Sequence, residues 1–221
     1  MSHLNNPFRL PRTVLPSRYE VSLTPDLDAA SFTGTVLIAA EATEAVSEIV
    51  VNAIELDIAS VTVNGISASF TLHEESERLI ISADVAKGPC NIAIAFTGIL
   101  NDKLRGFYRS TFTDDSGVVR TIATTQMQST DCRRAFPCFD EPDFKAVFAI
   151  DLTIKSEFLA VSNSSETKRE VLANGLTRIW FADTMIMSTY LVAFVVGPLE
   201  ATETEMVGDI AVRIIHVPGK S

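Results

Sequence analysis

The 221-residue chain is long enough to bury a substantial core, and with 47% apolar and 21% charged residues it has the balance of an ordinary folded globule. Its 28 acidic against 18 basic residues leave a net charge of −10, which repels a phosphate backbone and sets nucleic acid aside as a partner. No apolar run is as long as a bilayer span, and the opening residues 1–9 lack the basic and then apolar stretches of a secretory leader, so no membrane association and a cytoplasmic location are expected.

Period two with β-branched enrichment dominates the chain. Residues 19–23, 32–40, 49–51, 60–63, 79–83 and 91–96 alternate and predict strands. Turn residues punctuate them at Thr24-Pro25-Asp26, Asn64-Gly65 and Lys87-Gly88-Pro89. Asn64-Gly65, like Asn174-Gly175 further on, sits between apolar segments and suits a tight hairpin. A polar interruption spans residues 126–142, and the alternation then resumes over 144–154, 158–162, 178–181, 190–196 and 210–217. No stretch carries helical periodicity, and neither an internal repeat nor a low-complexity linker divides the chain. The expectation is one all-β domain, an antiparallel sandwich or an extended curved sheet.

Much familiar chemistry is missing. His3, His73 and His216 are isolated from one another and none belongs to a His-Glu-x-x-His helix, so nothing local proposes a metal site. Cys90, Cys132 and Cys138 fit neither a disulfide framework nor a zinc knuckle by spacing, and are expected as free thiols. Gly219-Lys220-Ser221 imitates the end of a phosphate-binding loop, but Ile214 stands where the first glycine is required. No Gly-x-Ser-x-Gly elbow occurs, and Asn163-Ser164-Ser165 reads as a polar turn rather than a glycosylation site.

The interruption at 126–142 concentrates amide, acid, guanidinium and aromatic groups, with Pro137 and Pro142 removing backbone donors. Such a mixture predicts an ordered loop or rim between apolar strands. Asp140 and Glu141 could form a catalytic carboxylate pair, but neighbours on an extended segment point in opposite directions. A structural role is expected instead, with Arg133 or Arg134 as ion partner, and Pro142 keeps Glu141 extended.

Three ordered blocks carry a resemblance: Gly106-Phe107-Tyr108-Arg109-Ser110, then Thr125-Gln126-Met127-Gln128, then Asp131-Cys132-Arg133-Arg134-Ala135-Phe136-Pro137-Cys138-Phe139-Asp140-Glu141-Pro142 with Phe144-Lys145-Ala146. Together with 15–23 near the start and 187–197 near the end, they closely resemble the zinc aminopeptidases of the aminopeptidase N type, a family that includes leukotriene A4 hydrolase. The resemblance spans almost the whole chain. It implies a saddle-shaped, mostly antiparallel N-terminal domain over residues 1–217, with 218–221 beginning a linker into a catalytic domain. The zinc, its ligands and the general base would all belong to that catalytic domain, so no cofactor, metal ligand or catalytic residue is expected among these 221 residues, which alone should not hydrolyse peptides.

What the resemblance assigns to this chain is substrate recognition. The residue at Gln126 lines the pocket for the first side chain of a peptide, and the one at Gln128, usually Glu, helps hold the free α-amino group. Gln128 keeps an oxygen acceptor without the charge that strengthens a hydrogen bond to an ammonium. Met127 is grouped with them as substrate-binding, although in an extended segment period two sends Gln126 and Gln128 to one side and Met127 to the other. The expected partners are the catalytic domain and peptide N-termini; oligomeric state leaves no mark in the sequence. A free-standing β-sheet binding module without peptidase activity is the alternative, motivated by the absence of a catalytic centre from these residues.

Overall fold

A computed structural model describes residues 9–220. The leader reading at the N-terminus falls mainly outside them, as do His3 and Ser221.

The regular structure of the described chain is almost entirely strand. In order these are β1 (Val14–Asp26), β2 (Ser31–Ala42), β3 (Val46–Asn52), β4 (Leu56–Val63), β5 (Ile66–Ser67), β6 (Ser69–His73), β7 (Arg78–Val85) and β8 (Gly88–Ile99). Then come β9 (Gly106–Thr113), β10 (Val119–Gln126), β11 (Val147–Lys155), β12 (Leu159–Ser162), β13 (Glu166–Val171), β14 (Leu176–Phe181) and β15 (Phe194–Gly197). Four short strands close the chain: β16 (Glu200–Ala201), β17 (Glu205–Val207), β18 (Ile210–Val212) and β19 (Ile215–His216).

Eight of them form one sheet in the order β13-β14-β11-β1-β2-β8-β4-β5, a four-stranded sheet runs β12-β15-β10-β9, and a three-stranded one runs β3-β7-β6. Among the described strands the ladders are antiparallel except between β1 and β11, which run parallel from Arg18↔Val147 to Leu23↔Leu152. The all-β, mostly antiparallel single domain expected from the alternation is therefore what the chain builds.

Alternation fails where tertiary contacts override it. Residues 190–196 were expected as one strand, but Thr189–Leu191 is a 3-10 turn and the strand begins only at Phe194. Ser188 donates to the Pro142 carbonyl at 2.6 Å and Thr189 to Asp140 at 2.6 Å, which ties this backbone to the loop instead of a neighbouring strand. Residues 210–217 likewise split into β18 and β19, each in its own two-stranded ribbon. Thr202 separates them by accepting from the Ile214 amide at 2.9 Å and donating its own amide to the Ile214 carbonyl.

Two expected turns lie inside strands. Pro25 pairs with Phe32 on β2 but stands beyond the last β11 partner of β1, Leu23; Pro89 pairs with Glu41 on β2 ahead of the first β4 partner of β8, Ile92. A proline is tolerated in a strand at such a one-sided position because no second neighbour needs its missing N–H. Asn64-Gly65 is a two-residue hairpin, with φ of 52° and 78° between Val63↔Ile66, the left-handed pair that a primed turn requires. Asn174-Gly175 instead sits in a three-residue 3-10 connection between β13 and β14.

An aromatic chain joins the large sheet to the four-stranded one. Phe32 contacts Phe96 and Phe107, and Phe107 meets Phe194 edge-on with centroids 4.8 Å apart. This seam fixes β9 and β10, and with them the start of the loop at 126, against the main core.

Candidate functional site

The loop leaves β10 at Gln126, which faces Gly106 across the β9–β10 ladder. Gly106 has φ of 67°, and a Cβ there would come within 2.7 Å of the Arg134 Cβ, so only glycine lets β9 begin against the returning loop. Gln126 and Gln128 are exposed, whereas Met127 is 1% exposed and belongs to the hydrophobic core. Met127 thus departs from its grouping as a substrate-binding residue: its side chain offers no surface to a ligand. Among the described residues neither glutamine amide is tied to another side chain or to the backbone. The Gln128–Ser129 peptide is cis, and the Asp131 amide donates back to the Met127 carbonyl at 2.9 Å.

Beyond Asp131 the loop turns inward and its polar groups become partnered. Arg133 is the hub. Its Nε donates to Asp140 Oδ2 at 2.9 Å, its Nη2 to the Asp140 carbonyl at 3.2 Å, and its Nη1 to Glu77 Oε2 at 2.8 Å. Asp140, with a side chain 1% exposed, also accepts from Thr189 through Oδ1 and donates its backbone N–H to Asn52. Burial pulls the Arg133 pKa down, but Asp140, with smaller help from Cys138 and Glu77, outweighs it and leaves the guanidinium above its ordinary value. Arg134 points elsewhere, to Asp131 at 2.8 Å and Glu55 at 2.7 Å, with Glu77 at 3.5 Å.

Glu141 has a separate set of partners. Arg9 and Arg12 each approach Oε2 at 2.8 Å, and the Leu10 amide donates to Oε1. Arg12 also reaches Asp143 and lies 4.0 Å from the centre of the Phe144 ring. Two adjacent carboxylates therefore hold two different segments of chain, and neither is left unpaired for acid–base work.

Apolar anchors complete the frame. Phe136 and Phe139 are buried; the Phe139 amide donates to the Tyr19 hydroxyl at 3.1 Å, and Tyr19 stacks on Phe148 with centroids 4.8 Å apart. Cys138 exchanges both backbone hydrogen bonds with Asn52, so the loop is stitched to the end of β3. Cys132 and Cys138, unrelated by any known spacing, are brought together in the fold: their sulfurs and a carboxylate oxygen of Asp140 lie within 4.8 Å of one another. Burial pushes both thiols up, Cys132 further than Cys138.

The structure joins Arg133 to Asp140 and separates Arg134 and Glu141 from that pair. The partners contributed from a distance, Glu77, Asn52, Thr189, Tyr19, Arg9 and Arg12, carry no local signal in the sequence. Asn52 and Tyr19 stand in or beside predicted strands, where a polar side chain reads as ordinary surface. Where the loop exits, Ala146 bridges to Met187, and the neighbouring Met185 and Ile186 are 81% and 68% exposed. Among the described residues no helix is long and apolar enough to cross a membrane.

Comparison with known proteins gives this geometry a setting. The family model for the peptidase M1 N-terminal domain matches residues 15–191. The chain is 40% identical over 225 residues to a rice (Oryza sativa subsp. japonica) aminopeptidase M1-A, covering 96% of this chain and 25% of that protein. It is 38% identical over 229 residues to aminopeptidase M1 of Arabidopsis thaliana, with the same coverage, and 38% identical to the mitochondrial aminopeptidase 2 of Saccharomyces cerevisiae, covering 95% of this chain and 23% of that protein. The chain thus spans about a quarter of the length of the curated relatives it matches.

Proposed function

From the membership of this chain in the peptidase M1 family, as an M1 N-terminal domain, we propose that the whole protein is a zinc-dependent aminopeptidase acting in the cytoplasm, and that residues 1–217 wall one side of its substrate cleft. In this reading residues 218–221 start the linker to the catalytic domain, which is the principal partner. Gln126 and Gln128 meet the N-terminal residue of a peptide, and the frame from Arg133 to Pro142 holds them in place.

One observation carries the proposal. The two glutamines are exposed on either side of a buried Met127, so the chain presents both amides outward from a short segment whose two ends are fixed in the core. An amide with no partner on the protein is available to a ligand, and an oxygen acceptor suits a peptide's terminal ammonium.

In this reading the zinc site belongs to the catalytic domain. The group formed by Cys132, Cys138 and Asp140 has its carboxylate committed to Arg133 and Thr189. A zinc ligand must be free to bind. The chemistry derived for this chain is therefore binding and orientation: Gln128 accepts from the ammonium, and Gln126 borders the first side chain.

Steady-state kinetics of the whole protein on aminoacyl amides and short peptides tests the reading. Gln128→Glu adds a charge to the hydrogen bond with the ammonium and should lower KM for free-amine substrates by about fivefold, since charge-assisted bonds are roughly twice as strong as neutral ones. N-acetylated peptides should be refused by both forms. Equal turnover of acetylated and free peptides, or a KM unmoved by the substitution, overturns it.

A further inference from the structure

We propose that Cys132 and Cys138 are a peroxide-reactive dithiol that closes to an intramolecular disulfide inside the frame behind Gln128. Both thiols are free and fully buried, and their sulfurs lie within 4.8 Å of each other. Cys90, on β8, is outside this group. The backbone on both sides of the pair is held. The Cys132 carbonyl accepts from the amides of Ala135 and Phe136, closing the 3-10 turn, while Cys138 is bound in both directions to Asn52. The two ends of a short segment are thus pinned with their side chains converging.

A metal would be the other use of two thiols beside a carboxylate, but Asp140 already accepts from Thr189 on one oxygen and from Arg133 on the other. Oxidation requires no change at Asp140. Closure draws the sulfurs from within 4.8 Å to the disulfide distance of about 2.0 Å.

The step balances with hydrogen peroxide as oxidant. Cys138, the less strongly raised of the two thiols, ionises and attacks one peroxide oxygen. An S–O bond forms, the O–O bond breaks, and hydroxide leaves to take up the proton that Cys138 released. Cys132 sulfur then attacks the sulfenic sulfur of Cys138; the S–S bond forms, the S–O bond breaks, and water departs with the Cys132 proton. Two thiols lose two electrons to one peroxide, giving a disulfide and two waters. A small neutral oxidant suits a site closed to larger disulfides, and the resolving thiol is beside the sulfenic acid before any second oxidant arrives. Burial keeps both thiols protonated, so the reaction is slow at neutral pH and faster in mild alkali.

Peptide mapping of the whole native protein tests the proposal. After treatment with hydrogen peroxide, removal of the oxidant, denaturation and alkylation, trypsin cuts after Arg133 and separates the two cysteines. The expected product is a disulfide-linked pair of peptides carrying Cys132 and Cys138, with Cys90 alkylated, and the link lost on dithiothreitol treatment. In Cys132→Ser the link should vanish and a sulfenic-acid probe should mark Cys138; in Cys90→Ser the link should persist. Full alkylation of Cys132 and Cys138 in the peroxide-treated wild type, or separate sulfinic products on each, overturns the proposal without reference to any variant.

Discussion

Residues 126–130 and 131–142 are consecutive, yet the first stretch projects two amides that bind nothing on the described protein, while in the second every charged side chain from Asp131 to Glu141 has a partner within 3.5 Å. If the first stretch meets a substrate as proposed, the contrast is how its position would be held without filling it. Polar groups that are to meet a ligand must stay unsatisfied in the free protein, and their positions are then held by neighbours that are themselves paired. The rigid stretch reaches far along the chain, to β3, to the turn before β7, to the residues before β15 and to the segment at 9–12, so its position depends on the whole domain having folded.

Breaking the frame should have the largest effect. Asp140→Ala removes the carboxylate that meets Arg133 and Thr189 and leaves a guanidinium 11% exposed with Glu77 as its remaining carboxylate partner among the described residues. Loss of one partner of a buried pair costs about 3–5 kcal/mol, and urea unfolding should show a midpoint lowered to match. Tyr19→Phe is a gentler cut. It keeps the stack on Phe148 but orphans the Phe139 amide, at a cost of about 1–3 kcal/mol by the same measurement. If either substitution leaves the midpoint unmoved, the stretch from 131 is not the rigid half of the comparison.

The alternation of β1, β2 and β8 is plain in the sequence because each buries one face and shows the other. Strands without that asymmetry are not. β13 is exposed at every position, as an edge strand of alternating charge can be, and β9 mixes Ser, Thr and Arg with its aromatics, so neither carries a readable period. Within the loop, the local half of the frame was legible: an Arg close to an Asp on a short turn is a natural pair, and Arg133–Asp140 is one. Glu141 held by Arg9 and Arg12, and Asp140 held by Thr189, join residues 129 to 132 and 49 positions apart in the chain, which no window of sequence reports. The meeting of Cys132 and Cys138 was invisible for a different reason: it depends on how tightly the turn between them closes.

A smaller effect separates the rim of the frame from its centre. Asp143 is largely exposed, and although burial opposes it, Arg12 and Arg9 hold its carboxyl below the usual range. Because the folded pKa is the lower one, its contribution is complete above the unfolded value and is lost as pH falls through the folded one. Screened by solvent, that loss should be under about 1 kcal/mol. Asp143→Asn should flatten the corresponding part of the melting-temperature curve in acid; an unchanged curve would mean that the pair with Arg12 contributes nothing to folding.

The least effect on stability belongs to the free end, and it is the most informative because a second measurement moves. Gln128 is exposed and its amide has no partner among the described residues, so Gln128→Glu removes no contact and buries no charge. Surface changes of this kind stay within about 0.5 kcal/mol, and the urea midpoint should not shift while KM for free-amine substrates falls. A midpoint lowered as far as in Asp140→Ala would place Gln128 in the frame, whatever happened to KM. A steady midpoint with a lower KM would leave the two halves of the loop with separate tasks, because the substitution then acts only when a substrate is there to meet it.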